Sequence, residues 1–267
     1  MLEYLILGAV QGLVEWLPLS SEGMVFLVKS NFFNNGETAM GVLRLSLFLH
    51  LGTFLAAFVY FRQEIFSLFR TMFAYRKSGD GDKRLLKFLL ATTLISGSLG
   101  YVLAKVFDAF SSSFENFGKF VTVFVAVLLF ATGILIIKSK KQQDKRRTEG
   151  EVTVKDGVIL GIVQGLAVLP GFSRSGLTVS SLLFRKFDDL PAMRLSFLMS
   201  MPIIFLGNVV LNFDRAMISW PSLAGVAAAF VVGLVTINLF LGLVKKVNFG
   251  YFAIFFGVLM VLSVIIK

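Results

Sequence analysis

Two stretches of this 267-residue chain decide the fold: GAVQGLVEWLPLSSEGM at residues 8–24 and GIVQGLAVLPGFSRSGLT at residues 161–178. Their Gly-x-x-Gln-Gly-Leu segments align at an offset of 153 residues (8 to 161). A serine and a glycine align at the same offset, Ser20 with Ser173 and Gly23 with Gly176. Both stretches are apolar and are interrupted by proline and hydroxyl residues, so the sequence predicts an internal repeat built around two broken helices.

The composition excludes a soluble globular protein. Hydrophobic residues make up 56% of the chain and charged residues 16%, and the mean hydropathy is +0.82. The formal charge of +10 does not indicate a nucleic-acid partner, because the apolar runs reach about twenty residues, the length of a membrane span. The absence of cysteine and the single histidine exclude thiolate and histidine-cluster metal sites, so any metal must be held by oxygen ligands.

Eight apolar stretches are candidate membrane segments: 4–29, 41–61, 86–107, 119–138, 156–184, 194–212, 220–244 and 249–266. Basic residues gather in four connections, which the positive-inside rule places in the cytoplasm: 62–87, 138–155, 185–194 and 245–246. Because basic residues flank 156–184 on both sides, this stretch leaves the cytoplasm and returns as a re-entrant hairpin. By the same count 4–29 begins and ends outside the cell.

The predicted fold is therefore an all-α polytopic membrane protein with an inverted-topology repeat, each half a re-entrant helix hairpin plus three transmembrane helices. The chain forms one integral membrane domain, with repeat one at about 1–138, a basic cytoplasmic linker at 139–155 and repeat two at about 156–267. Both termini lie outside. The alternative is eight ordinary spans, two of them kinked at proline, which violates the charge rule in one half.

Three ionisable residues lie inside the predicted hairpins: Glu15, Glu22 and Arg174. A charge at the bilayer centre costs about 2.5–3.5 kcal/mol, so a structural or functional role is expected for each of these side chains. Gln11 and Glu15 are four residues apart and share one face of a helix. The second hairpin opens a helix with Ser173, Arg174, Ser175, Gly176 and Thr178, which supply hydroxyls, a guanidinium and free N–H groups. That combination predicts a phosphate site.

Carboxylates next to a phosphate site predict a divalent cation between them. We expect Mg2+ or Ca2+ to be held by Glu15, together with Glu22 or Gln11, and completed by phosphate oxygens. An alternative is a structural ion pair between Glu15 and Arg174. His50, which lies in an apolar span, is interpreted as a buried histidine rather than as a catalyst.

The two stretches resemble the undecaprenyl-diphosphatase family, the membrane-embedded bacitracin-resistance type. The segment from Gln11 to Glu15 resembles its (E/Q)xxxE motif and continues through Trp16 to Ser21, and residues 170–178 resemble its PGxSRSxxT motif. The resemblance implies hydrolysis of undecaprenyl diphosphate to the monophosphate and phosphate, with a divalent metal, at the outer face of the cytoplasmic membrane. This reaction recycles the lipid carrier for cell-wall and other surface glycans.

Carried over by residue, the resemblance assigns a role to each member of the site. Glu15 and Gln11 hold metal or help to activate a nucleophile, while Ser21 is the candidate nucleophile and Ser20 a neighbouring donor. Arg174, with Ser173 and Thr178, binds the diphosphate.

The chain departs from the family where members commonly have Ser-Ser-Thr-Gly-His, because it has Glu22 and Met24 within that segment. Either Glu22 replaces the missing histidine as a base, or hydrolysis has been lost; His50 is the weaker substitute. The second functional hypothesis is accordingly a transporter of polyprenyl phosphate or another anion on the same fold. Both hypotheses predict a polyprenyl lipid and the bilayer as partners, and a homodimer is compatible with the sequence.

Overall fold

The structure, a computed structural model, describes residues 1–17, 20–33, 39–111, 147–168, 173–211 and 218–243, with scattered helical positions within 127–138 and 250–262. The predicted hairpin breaks at Pro18 and at Pro170-Gly171 lie outside the described residues. So do most of the predicted spans 119–138 and 249–266 and the linker up to residue 146.

The described part of the chain is helical and contains no strand, apart from a single backbone bridge between Arg147 and Phe187. The helices are α1 (Leu2–Val14), α2 (Ser21–Phe32), α3 (Ala39–Tyr60), α4 (Arg62–Phe73), α5 (Asp80–Ser111), α6 (Val154–Leu166), α7 (Arg174–Phe184), α8 (Asp189–Leu211) and α9 (Trp220–Leu243). The predicted all-α class is therefore confirmed.

Within the described ranges, three helices are long and apolar enough to cross a membrane: α5, α8 and α9. Helices α3 and α4 meet this condition together, but they are bent by 80° at Phe61. The protein is thus a multi-pass helical membrane protein. The structure also corrects the predicted connection 62–87, which is not a loop, because it holds all of α4 and the first turns of α5.

The segments predicted as hairpins return on themselves. Glu3, in the first turn of α1, forms an ion pair with Lys29 in the last turn of α2, and Asp156 near the start of α6 does the same with Arg185 after α7. A single kinked span would separate Glu3 from Lys29 by about 39 Å along the helix axis. The alternative of ordinary kinked spans does not fit these contacts.

Each hairpin packs its first helix through glycines against a long helix of the other half of the chain. A Cβ atom on Gly12 would lie 2.7 Å from a carbonyl oxygen of α9, and one on Gly157 would lie 2.8 Å from a carbonyl oxygen of α5. A threonine hydroxyl forms a hydrogen bond across each helix pair: Thr236 donates to the Gly12 carbonyl at 2.9 Å, and Thr92 donates to the Gly157 carbonyl at 3.3 Å. Close backbone approach of this kind is the normal use of small residues in membrane helix pairs.

Candidate active site

The second helix of each hairpin begins with the same local structure. Ser20 caps α2 and accepts a hydrogen bond from the Gly23 N–H at 3.1 Å, while Ser173 caps α7 and accepts one from the Gly176 N–H at 3.0 Å. Their backbone angles agree closely (φ −78°, ψ 100° and φ −76°, ψ 107°). Serine favours this position because its side chain satisfies an N–H group that the helix leaves unpaired. The matched residues therefore have matched structures.

The two helix N-termini meet at a cavity of about 40 Å³, which has room for two or three water molecules. Its lining residues come from both hairpins and from α3: Glu15, Ser20, Ser21, Glu22, His50, Ala167, Arg174 and Ser175. The Ser175 hydroxyl donates to the Leu17 carbonyl at 2.6 Å and ties one hairpin to the other. Since helix N-termini carry partial positive charge and unpaired N–H groups, their convergence favours an anion in the cavity.

Glu15 is the centre of the polar cluster and is 3% exposed. Its Oε2 atom accepts hydrogen bonds from Gln11 Nε2 and from Ser21 Oγ, both at 2.8 Å, and lies 3.2 Å from His50 Nε2. Its Oε1 atom forms an ion pair with Arg174. The predicted shared face of Gln11 and Glu15 and the predicted meeting of the two hairpins are both confirmed.

Trp16 fixes the backbone immediately after Glu15. Its indole N–H donates to the Gly233 carbonyl at 3.0 Å and to the Thr236 hydroxyl at 3.1 Å, so both partners lie on α9. Its ring packs edge-on against Phe197 with the centroids 5.1 Å apart. A buried carboxylate is held more firmly when the residue beside it is locked by packing and hydrogen bonds.

His50 belongs to the site, which the sequence interpretation undervalued. Its Nε2 atom lies 3.4 Å from Ser21 Oγ, and its Nδ1 atom lies 2.7 Å from the Ser46 carbonyl oxygen. Because a carbonyl only accepts, Nδ1 carries a proton, and Nε2 is directed at Ser21 and Glu15. Met24, where the resemblance led us to expect a histidine, packs against the hydrophobic core. The signal available in the sequence was an ionisable side chain within an apolar span.

The ion pair with Glu15 does not satisfy all the hydrogen-bond donors of Arg174. Its Nη1 atom is buried and has no hydrogen-bond partner among the described residues. A buried donor left unpaired costs about 1–3 kcal/mol. The ion pair between Glu15 and Arg174 that the sequence analysis gave as an alternative is present. Nη1 of Arg174, which lines the cavity, remains available for an anion.

Some of the predicted site residues do not line the cavity. Gln11, Ser173 and Gly176 lie one layer behind it and hold the two helix ends in place. Thr178 is fully buried and contacts the Ser196 hydroxyl on α8 at 2.7 Å, while it also donates to the Arg174 carbonyl at 2.8 Å. The predicted phosphate contacts of these four residues are untested and stay predictions.

The described residues suit a cation only if a substrate completes its shell. No group of three or more acidic or histidine side chains in the described ranges is arranged to hold a metal by itself. Glu22 lines the cavity and makes no hydrogen bond or ion pair with another described residue, so its carboxylate is available. Gln11 Oε1 is a buried oxygen without a partner in the same part of the chain. Mg2+ commonly binds through one or two carboxylates plus phosphate oxygens and water, and this donor set fits that pattern.

The fold and the cavity define a class of protein: an integral membrane protein with a polar cavity where the N-termini of two helices meet. The profile of the family described as "Bacitracin resistance protein BacA" matches residues 4–262. The chain belongs to this family.

Curated relatives resemble the chain over nearly its whole length. An undecaprenyl-diphosphatase of Methanococcoides burtonii is 40% identical over 265 residues, covering 98% of this chain and 97% of that protein. The relative named undecaprenyl-diphosphatase 1 from Shouchella clausii is 35% identical over 278 residues, with 100% and 96% coverage. One from Methanothrix thermoacetophila is 33% identical over 264 residues, with 97% and 94% coverage.

Proposed function

We propose that this protein hydrolyses undecaprenyl diphosphate to undecaprenyl phosphate and inorganic phosphate. The observation that carries the proposal is Ser21, whose hydroxyl lies between Glu15 and His50 and faces the cavity that Arg174 also lines. The names of the relatives support the same substrate and reaction. Nothing in the described residues favours the transport alternative over hydrolysis.

The diphosphate binds where the two helix N-termini meet. Arg174 offers its unpaired Nη1 donor to phosphate oxygens, and the first turns of α2 and α7 offer backbone N–H groups. The polyprenyl chain extends into the apolar surroundings, as many outward side chains of the long helices are exposed and apolar. Most of the catalysis is then positioning and charge stabilisation, as is usual in phosphoryl transfer.

Ser21 Oγ attacks the terminal phosphorus. The Oγ–P bond forms while the bond from that phosphorus to the bridging oxygen breaks, and undecaprenyl phosphate leaves with the electron pair. The hydroxyl proton passes to Glu15 Oε2, the atom to which Ser21 already donates. His50 Nε2 lies 3.2 Å from the same oxygen. Water then attacks the phosphoserine and the bond between phosphorus and Ser21 Oγ breaks. Ser21 Oγ takes back the proton held by Glu15, and the phosphate leaves with both protons of the attacking water.

Mg2+ or Ca2+ is the proposed cofactor. Glu22 would hold it at the cavity together with phosphate oxygens, and Gln11 and Glu15 contribute the nearby oxygen atoms. When bound, a divalent cation neutralises charge on the phosphates. Glu22 is also available as the base that the missing family histidine would have supplied.

The finer topology is also part of the proposal. Two hairpins whose tips meet and whose bases point apart form an inverted repeat. Their first helices, of about 13 residues each, span about 39 Å when placed end to end, which is more than the hydrocarbon core of about 30 Å. Arg147 and Arg185 at the base of the second hairpin lie on the predicted cytoplasmic side. The resemblance to the family implies that the cavity opens to the outer face of the cytoplasmic membrane, and the charge pattern implies that both termini lie outside.

The test is phosphate release from undecaprenyl diphosphate by the purified protein in detergent, with Mg2+ or Ca2+ and with EDTA. We expect release with either ion and none with EDTA. Ser21→Ala is expected to lower release at least about 10³-fold. The matched control is Ser30→Ala on the same helix, whose hydroxyl only donates to the Leu27 carbonyl, and it should leave release unchanged.

Two results would contradict the proposal. Wild-type protein that binds the lipid but releases no phosphate would exclude the enzyme. Ser21→Ala protein with undiminished release would exclude the serine nucleophile and leave direct attack by water.

A further inference from the structure

Helix α4 has three distinct faces. At about 100° per residue, Ile65, Leu68 and Thr71 fall on the side that packs against the protein, and Ile65 and Thr71 are buried. Glu64 on the same side forms an ion pair with Arg194 of α8 and anchors the helix. This side accounts for the packing of α4 but leaves the rest of its surface uncovered.

A second face of α4 is aromatic and exposed. Phe66, Phe69 and Phe73 lie within a sector about 60° wide, and they are 64%, 50% and 89% exposed. Gln63 and Arg70 lie about 90° and about 70° around the helix from the centre of that sector, and both are exposed. An aromatic face next to a polar and basic face is the pattern of a helix lying in the plane of a membrane surface.

The orientation of α4 agrees with that pattern. The helix turns 80° from α3 at Phe61, so it runs nearly perpendicular to its neighbour. If α3 crosses the bilayer, α4 lies along its surface.

The segment around α4 is strongly basic. Seven basic residues lie between Arg62 and Lys87, against three acidic ones, of which Glu64 is already paired with Arg194. Four of the basic side chains are exposed: Arg62, on the aromatic side of α4 at its first residue, and Arg70, Arg76 and Lys77 beside or after the aromatic face. Basic side chains at the edge of a bilayer attract anionic headgroups.

We propose that α4 is an interfacial helix that inserts its phenylalanine face between lipid tails and binds anionic phospholipid headgroups through the basic residues beside it. Its partner is the anionic bilayer surface on the side of the basic connections. The inference is independent of the hydrolytic activity, because no residue of α4 lines the cavity.

The chain contains no cysteine, so one introduced cysteine carries a unique nitroxide label. Phe69→Cys reports on the aromatic face, and Gln63→Cys on the same helix is the matched control. In liposomes of phosphatidylcholine with phosphatidylglycerol, we expect the label at 69 to collide mainly with oxygen dissolved in the bilayer. The label at 63 should collide mainly with a water-soluble nickel chelate. Equal, water-like accessibility at both positions would overturn the proposal.

The anionic requirement is tested by varying the phosphatidylglycerol fraction and following the depth of the label at 69. Arg70→Gln and Lys77→Gln, each made alone, should each raise the phosphatidylglycerol fraction needed for half of the depth change, by up to about fivefold. Lys105→Gln, an exposed basic residue about 33 Å further along α5 than Lys83, should leave it unchanged. A depth that is independent of phosphatidylglycerol would overturn the proposal.

Discussion

The two hairpins share one scaffold but supply opposite chemistry. Both have a serine cap with a glycine three residues later, and an ion pair closes the base of each. At the offset of 153, however, Val168 stands where the first hairpin has Glu15, and Arg174 stands where it has Ser21. The first hairpin contributes the Glu15 carboxylate and the Ser21 hydroxyl to the cavity, and the second contributes the Arg174 guanidinium. Two helix starts with the same local structure therefore present opposite charges to one cavity.

The matched glutamines show the same division. Gln11 donates to Glu15 within the polar cluster, whereas Gln164 donates to the Ser96 hydroxyl at 3.1 Å and to the Met199 carbonyl at 3.2 Å. The second glutamine therefore joins helices and has no contact with the site. One residue type at matched positions contacts the polar cluster in the first hairpin and joins packed helices in the second.

The largest expected effect is the removal of the cation from the second hairpin. Arg174→Ala should lower phosphate release by at least about 10³-fold, since the donors that stabilise developing charge are lost. Arg174→Lys should still lower it by about 10²-fold, because an ammonium group cannot reproduce the planar fork. Arg84→Lys, at an exposed position, is the control. Normal activity with lysine at position 174 would mean that only charge matters there.

The next effect tests whether His50 takes part in the reaction. His50→Gln should lower phosphate release by about 10²-fold, as expected for loss of an acid–base group. Met24→Leu keeps the side-chain volume at the core and should stay within about twofold of wild type. A His50→Gln variant that stays within about twofold of wild type would contradict a role for His50 in the reaction.

The matched glutamines, Gln11 and Gln164, provide a further test of the difference between the two hairpins. Gln11→Leu should lower kcat by about tenfold while leaving the unfolding temperature nearly unchanged, because its hydrogen bond serves Glu15. Gln164→Leu should do the reverse: it leaves acceptors at Ser96 and Met199 unpaired and costs about 1–3 kcal/mol of stability. Thermal unfolding and phosphate release on the same preparations distinguish the two. Identical behaviour of both variants would contradict the division between the hairpins.

The smallest effect on activity is expected at the base of the second hairpin. The Asp156 carboxylate is fully buried and pairs with Arg147 and Arg185, so Asp156→Asn should cost about 2–3 kcal/mol of stability. Phosphate release at low temperature should remain near wild type, since the pair lies far from the cavity. Asp80→Asn, whose carboxylate is exposed and 3.7 Å from Lys83, is the control and should change neither property. A loss of activity without a loss of stability would place Asp156 in the reaction.

Local features of the site were predictable from the sequence. The spacing of Gln11 and Glu15 placed them on one face, and the matched serines predicted two similar helix starts. The charge pattern predicted that the chain returns within 156–184, and the contact of Asp156 with Arg185 agrees with it. These predictions depend on residues close together in sequence, where helix geometry alone decides.

The remaining features depend on how distant helices pack, which the sequence pattern does not encode. His50 reaches Ser21 only because α3 lies against the first hairpin, and Thr178 turns toward Ser196 only because α8 packs on α7. The helical character of α4 was missed because its charged residues suggested a connection. Periodicity in the sequence reports which face is buried and does not report the partner.

The most direct test of the account is a double-mutant cycle on kcat/KM between Glu15→Gln and Arg174→Gln. If the two hairpins build one site through this pair, each single variant should lower kcat/KM by at least about 10²-fold. The double variant should then be little worse than either single variant, because the second change removes a contact already broken. Losses that multiply in the double variant would contradict the account, since the two hairpins would then act independently.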